Sequence, residues 1–133
     1  MVAIDKKDYI YRLIKNSDRE TLRSELKSYK LLQKNHGLQK IAKEVIAFAN
    51  RIGGYLIIGA DNKGNLEGKE KFDFDIEKGR IDEYFYYKIS PRVEFNTEYF
   101  EYKEGDILAI TVSPSKDIPH AIIQGTHPNI KWR

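Results

Sequence analysis

The stretch that most constrains this chain is Ala47-Phe48-Ala49-Asn50-Arg51-Ile52-Gly53-Gly54-Tyr55-Leu56-Ile57-Ile58-Gly59, where a helical stripe stops at a glycine pair and an apolar run begins. Upstream, Leu38, Ile41, Ala42, Val45, Ile46 and Ala49 recur at spacings of three and four, which predicts a helix from Leu38 to Asn50 with one buried face. The run that follows is too short for a buried helix and is bounded by glycines. It reads as a strand covered on both faces, and such a strand needs a sheet with helices packed against it.

The flanking sequence fills in that plan. Residues 5 to 16 place Ile10, Leu13 and Ile14 at helical spacing behind Asp5, an acceptable cap. From Thr21 to Leu32 the apparent period is two, which predicts a strand. Asp61-Asn62-Lys63-Gly64-Asn65 is a turn cluster, with Leu66-Glu67-Gly68 as the return arm of a small hairpin. Ile76, Ile81, Tyr84, Phe85, Lys88 and Ile89 predict a second helix, weakened by Gly79 and ended before Pro91. Val93–Tyr102 and Ile107–Val112 form a hairpin around Lys103-Glu104-Gly105-Asp106. A last hairpin pairs His120–Ile123 with Ile130–Trp132. The expected fold class is α/β (α+β): one domain over residues 1–133 with a mixed sheet and flanking helices.

At 133 residues with 41% hydrophobic side chains, the chain suffices for one self-supporting core, burying roughly 65–70% of its unfolded surface. It has no cysteine, which removes disulfides, thiolate metal sites and cysteine nucleophiles. No stretch reads as a signal peptide or membrane span, so a cytoplasmic protein is expected. The net charge of +3 is small but uneven: residues 1–50 carry 11 Lys/Arg against 6 Asp/Glu, the remainder 12 against 14. A basic half suits either a solvated face or a phosphate-binding surface. Its cations nearest the candidate site are Arg19, Arg23, Lys27, Lys30, Lys34 and Arg51.

Three acids are placed for chemistry: Glu20, Glu25 and Asp61. On a strand Glu25 and Lys27 share a face, since side chains two apart point the same way. Glu20 precedes that strand. Asp61 follows the C-terminal end of the buried one, where α/β sheets collect ligands. Converging carboxylates suit Mg²⁺ or Mn²⁺, and a lysine beside them stabilises charge on a phosphodiester. In a chain that is 32% charged, the same acids also read as surface ion-pair partners.

Other features read more plainly. The glycines from Gly53 to Gly68 lack the G-K-[ST] of a phosphate loop and flank a strand, which argues against nucleotide binding there. His36, His120 and His127 share no metal-ligand spacing and read as loop residues. Tyr84, Phe85, Tyr86 and Tyr87 have rings able to stack on bases, though helical spacing assigns Tyr84 and Phe85 to the core.

Read together, Glu20-x4-Glu25-Leu26-Lys27, the Ala47–Asp61 stretch and Gly64 and Gly68 resemble the Schlafen AlbA-like domain. The pattern of that family is an E-x4-EFK strand, a helix ending AFANT-x-GG, a strand of type LLIGV and a D-[DN]-x-G turn. The match is best over residues 20–68. Beyond it, Ile89-Ser90-Pro91, Ile107–Val112, Pro119 and Ile130-Lys131-Trp132-Arg133 resemble later segments of the family, which usually continues past that arginine, so either a stand-alone domain or a chain truncated at its C-terminus is expected. In bacterial and archaeal relatives the resemblance implies a DNA-binding module attached to regulator-like segments. In vertebrate relatives it implies a three-carboxylate, metal-dependent RNA endonuclease. Glu20 and Glu25 match the first two acids of that site, and the third lies in the paired-acid turn, here Asp61-Asn62. Leu26 stands for the usual Phe and Arg51 for the usual Thr.

The expected function is therefore binding of DNA or RNA through phosphate contacts from Arg19, Arg23, Lys27, Lys30, Lys34 and Arg51, with no cofactor, as in a prokaryotic transcriptional-regulator-like protein. The alternatives are a metal-dependent endoribonuclease using Glu20, Glu25 and Asp61 with Lys27, and a protein-interaction or homodimerisation module.

Overall fold

The computed structural model describes residues 5–15, 24–68, 73–115 and 120–122. In chain order the elements are α1 (Lys6–Lys15), β1 (Ser24–Lys27), a 3₁₀ turn (Tyr29–Gln33), α2 (Gly37–Ala49), β2 (Gly54–Ile58), α3 (Phe74–Lys88), β3 (Ile89–Ser90), β4 (Phe95–Glu101), β5 (Asp106–Val112) and β6 (Ala121–Ile122). The main sheet has the order β1-β2-β5-β4, with β1 parallel to β2 and the other pairs antiparallel. β3 and β6 pair separately.

Alternation along β2 and β5 sorts the core into two layers. Leu56, Ile58, Leu108, Ile110 and Val112 meet Ile41, Ala42, Val45, Phe48 and Ala49 of α2, together with Ile81 and Phe85 of α3. On the opposite face Ile57, Ile107 and Ala109 meet Ile10 and Ile14 of α1, with Leu26 and Tyr102. The sheet is thus held between α1 on one side and α2 and α3 on the other. The expected double burial of β2 is seen directly, since Leu56, Ile57 and Ile58 expose none of their surface.

Local signals account for the boundaries. The side chain of Asp73 accepts from Ile76 N at 3.3 Å and starts α3, with Asp75 and Glu77 in its first turn complementing the helix dipole. α3 stops one residue short of the Ser90–Pro91 unit, since a proline disfavours helical backbone in the residue before it. At the end of α2, Gly53 takes φ +78° and donates to Phe48 O at 2.7 Å. A Cβ there would lie 2.6 Å from Val112 O and 2.9 Å from Pro114 Cδ, so both backbone conformation and space demand glycine.

One sequence expectation is corrected. The strand drawn from Thr21 to Leu32 is, among the described residues, only Ser24–Lys27, and residues 21–23 lie outside them. After Lys27 the carbonyl of that residue is taken by Gly59 N and Ala60 N, and Ser28 accepts from Lys30 N to start the 3₁₀ turn. The adjacent pair Leu31-Leu32 breaks a period of two, and Leu32 is buried by that turn, not by a strand. Of the expected last hairpin, Ala121–Ile122 is a strand that pairs with Ile89–Ser90, and the second arm lies outside the described residues. No helix among the described residues is long and apolar enough to cross a membrane.

Gly79 has open space where a Cβ would stand, inside a helix where glycine is the poorest residue after proline. Gly79→Ala is expected to raise unfolding stability by about 0.5–1 kcal/mol. Gly53→Ala is expected to lower it by more than about 1 kcal/mol. Urea unfolding of both variants beside the parent chain reads the two shifts.

Candidate nucleic-acid interface

β1 is at the edge of the main sheet and contributes the first part of the site. Its register sets Glu25 against Leu56 and Lys27 against Ile58, so both side chains lie on the α2 face, as their spacing predicts. Lys27 Nζ is 3.4 Å from Glu25 Oε2 and 3.7 Å from Glu44 Oε2 of α2. All three side chains remain 30–38% exposed, so each pair adds little to stability, about 0–1 kcal/mol. The arrangement places one ammonium between two carboxylates at the rim of the sheet. Glu44 was not singled out from the sequence, because its helical register alone says nothing of a partner on β1.

Asp61 sits just past β2, on the loop whose first amides bond to Lys27 O. Its Oδ1 accepts from Lys63 N and Asn65 N, both at 2.9 Å, and its Oδ2 accepts from Asn65 Nδ2 at 3.1 Å. These bonds, led by that from the Asn65 amide, hold the carboxyl below the usual carboxylate range. The bridge between Ala60 and Leu66 closes the same loop, and Asn62 is exposed within it. Asp61 therefore staples its own turn, an arrangement typical of aspartate followed by a tight bend.

This geometry bears on the metal expectation. Glu20 lies outside the described residues, Glu25 is paired with Lys27, and both oxygens of Asp61 are occupied by its own loop. Among the described residues, no three His, Asp or Glu side chains group closely enough to hold a metal ion.

The cations separate along α2. Lys30 in the 3₁₀ turn and Lys34 just after it are exposed before the N-terminus of α2, whereas Arg51 is exposed beyond its C-terminus. Thirteen residues of helix separate those ends, or about 20 Å, so Arg51 does not share a patch with Lys34. Arg19 and Arg23 lie outside the described residues.

Two histidines are structural. His36 occupies the cap position of α2 at φ 64°. His120 is buried, its Nδ1 faces Pro91 O, and its backbone is gripped by the Asn50 side chain, N–H to Oδ1 at 3.0 Å and Nδ2 to carbonyl at 3.4 Å. The asparagine of the Ala47-Phe48-Ala49-Asn50 stretch thereby ties the end of α2 to β6. His127 lies outside the described residues.

On α3 the aromatic group divides as its spacing implies. Phe85 is buried and Tyr84 packs against the core, while Tyr86 and Tyr87 are 53% and 64% exposed.

A search of solved structures finds the N-terminal domain of a RecG-related protein from Nitrosomonas europaea, with TM-score 0.64 and 20% identity over 92% of this chain and 86% of that one. At that identity the likeness establishes a shared fold. No curated protein matches the sequence. The family model described as Schlafen, AlbA_2 matches residues 20–130, a span that contains β1, α2, β2 and the stapled loop, and the chain belongs to that family.

Proposed function

We propose that this chain is a nucleic-acid-binding domain that holds phosphates through the cations of its basic N-terminal half. The observation that carries the reading is the exposed pair Lys30 and Lys34, in and just after the 3₁₀ turn that follows the ion-paired Lys27, in a half of the chain with 11 Lys/Arg against 6 Asp/Glu. Membership of the Schlafen AlbA_2 family supports it. The structural relative bears a name that relates it to the RecG DNA helicases, which favours DNA as the ligand. A module within a prokaryotic transcriptional regulator is the finer form of this proposal. Arg19 and Arg23 belong to the proposed contact set by sequence, and Arg51 would touch a separate part of the ligand.

Phosphate contacts position a ligand without reading its sequence, and they release counterions. Affinity should therefore fall steeply with salt and vary little with base sequence. Replacing Lys30 and Lys34 together by alanine is expected to reduce the slope of log K against log salt by about 2. A slope unchanged in that double variant would remove these residues from the interface.

A second reading, a metal-dependent endonuclease, is favoured by one observation: Glu25 and Lys27 stand together on an exposed sheet rim. Glu25→Gln separates the two. A binding module should hold nucleic acid about two- to fivefold tighter, because one exposed charge near phosphate is gone. A nuclease should lose cleavage in Mn²⁺. Labelled oligonucleotides incubated with Mn²⁺ or EDTA report both quantities.

The loop staple gives an independent test of Asp61. Its folded pKa is lowered, so its contribution is present above the ordinary carboxylate pKa and is lost as pH falls through the lowered value. Amide exchange at Lys63 and Asn65 should be slow at neutral pH and quicken, relative to other loops, below about pH 4. Asp61→Ala should abolish that protection at every pH.

A further inference from the structure

Two adjoining cavities lie between the N-terminus of α2 and the exposed side of α3. Their volumes are about 310 and 240 Å³, and they share Leu38, Arg80 and Tyr84 as common walls. Lys34 closes one end of this groove, and Tyr87 and Lys88 line the other. Three cations, Lys34, Arg80 and Lys88, line it together with Glu83, and Arg80 is ion-paired with Glu77 at 2.7 Å.

The walls are built for a flat, anionic guest. Arg80 is held by two hydrogen bonds, Nη1 to Glu77 Oε1 at 2.7 Å and Nη2 to Leu32 O at 2.9 Å. These use two of its five donors and fix the guanidinium plane, so an incoming phosphate meets a group already ordered. Tyr84 forms a wall shared by both cavities and packs against the core. Tyr87 is 64% exposed, more than any other large hydrophobic side chain among the described residues. It is steadied edge-on by Tyr86 at 4.9 Å, whose own ring lies 3.9 Å from the Arg92 guanidinium. A tyrosine so exposed contributes little to the core, while a ring beside cations is the usual platform for an unpaired base.

The groove is also continuous with the cation pair already described, because Lys34 belongs to both. Its size admits a nucleotide unit, the scale of a small-ligand pocket, and not the width of a duplex.

We propose that this groove grips a single strand of nucleic acid, with one unpaired base against the rings of Tyr84 and Tyr87 and the flanking phosphates on Lys34, Arg80 and Lys88. The inference rests on the nucleic-acid reading above and deepens it by naming an unpaired strand as the ligand.

The test uses fluorescence anisotropy of labelled dT12 and of a 12-base-pair duplex, with the parent chain, Tyr87→Ala and Tyr87→Phe, each checked for fold by circular dichroism. Tyr87→Ala should weaken dT12 binding by about 5- to 100-fold and leave duplex binding within about twofold, while Tyr87→Phe keeps dT12 affinity near the parent value. A dT12 carrying 5-iodouracil should crosslink on irradiation to Tyr84 or Tyr87, located by peptide mass spectrometry. If the parent chain binds dT12 but Tyr87→Ala binds it equally and crosslinks map elsewhere, the groove is overturned and the phosphate-binding reading stands. Equal loss of duplex and dT12 in Tyr87→Ala also overturns it. Displacement of dT12 by dTMP at concentrations comparable to dT12 itself would put a free nucleotide there instead. A parent chain that binds neither oligonucleotide removes the nucleic-acid reading, and the groove with it.

Discussion

Burial of β2 on both faces is the condition that the other elements satisfy. Leu56 and Ile58 need cover on one side and Ile57 on the other, and each fully buried aliphatic side chain is worth about 1.5–3 kcal/mol. α2 and α3 cover the first face and α1 the second, while β1 and β5 take up the backbone donors and acceptors along both edges of the strand. Gly53 follows from this. A strand that enters the middle of three layers directly from a helix has no room for side chains at the bend, and Gly53 lies against Val112 O and Pro114.

The position of β1 follows in turn. It pairs with one side of β2, and after four residues its last carbonyl is diverted to the amides of Gly59 and Ala60. The chain then turns under α2, so the polar face of β1 stays half-open at the rim. Glu25 and Lys27 owe their exposure to this early ending. Had the strand run on to Leu32, the sheet edge would have been longer, and Lys30 would have stood on it instead of in the turn that leads toward α3.

Much of this was legible in the sequence where the information is local. The stripe from Leu38 to Ala49, the glycine-bounded run of β2, the hairpin of β4 and β5 and the shared face of Glu25 and Lys27 all follow from periods of 3.6 or 2. What was not legible depends on contacts between distant segments. The end of β1 is set by a loop more than thirty positions later. β6 is positioned by Asn50 across seventy residues and pairs with β3, which no period could indicate. The groove between α2 and α3 joins Lys34 to Arg80 and Tyr87, and only the Tyr84–Tyr87 aromatic run hinted at it. The bonds of Asp61 were hidden for another reason: an Asp-Asn-x-Gly turn does not say which amides its aspartate will accept from, and here they are those of Lys63 and Asn65.

The corner around Lys27 is where charge decides between paths for a nucleic acid. One ammonium faces two carboxylates, Glu25 at 3.4 Å and Glu44 at 3.7 Å, so the cluster is net negative although its central residue is a lysine. A phosphate approaching Lys27 must displace one of these partners and then lie beside the other. At an exposed rim each attraction or repulsion is only about a kcal/mol or less, yet both act in the same direction. Lys30 and Lys34 are exposed and stand in the 3₁₀ turn and just beyond it, on the route toward Arg80. The electrostatics therefore turn a polyanion away from the carboxylates of β1 and along the turn toward α3. Under the proposed function, the residues that resemble a catalytic site would form the boundary of the binding path, and its centre would lie where Lys34 and Arg80 line one groove.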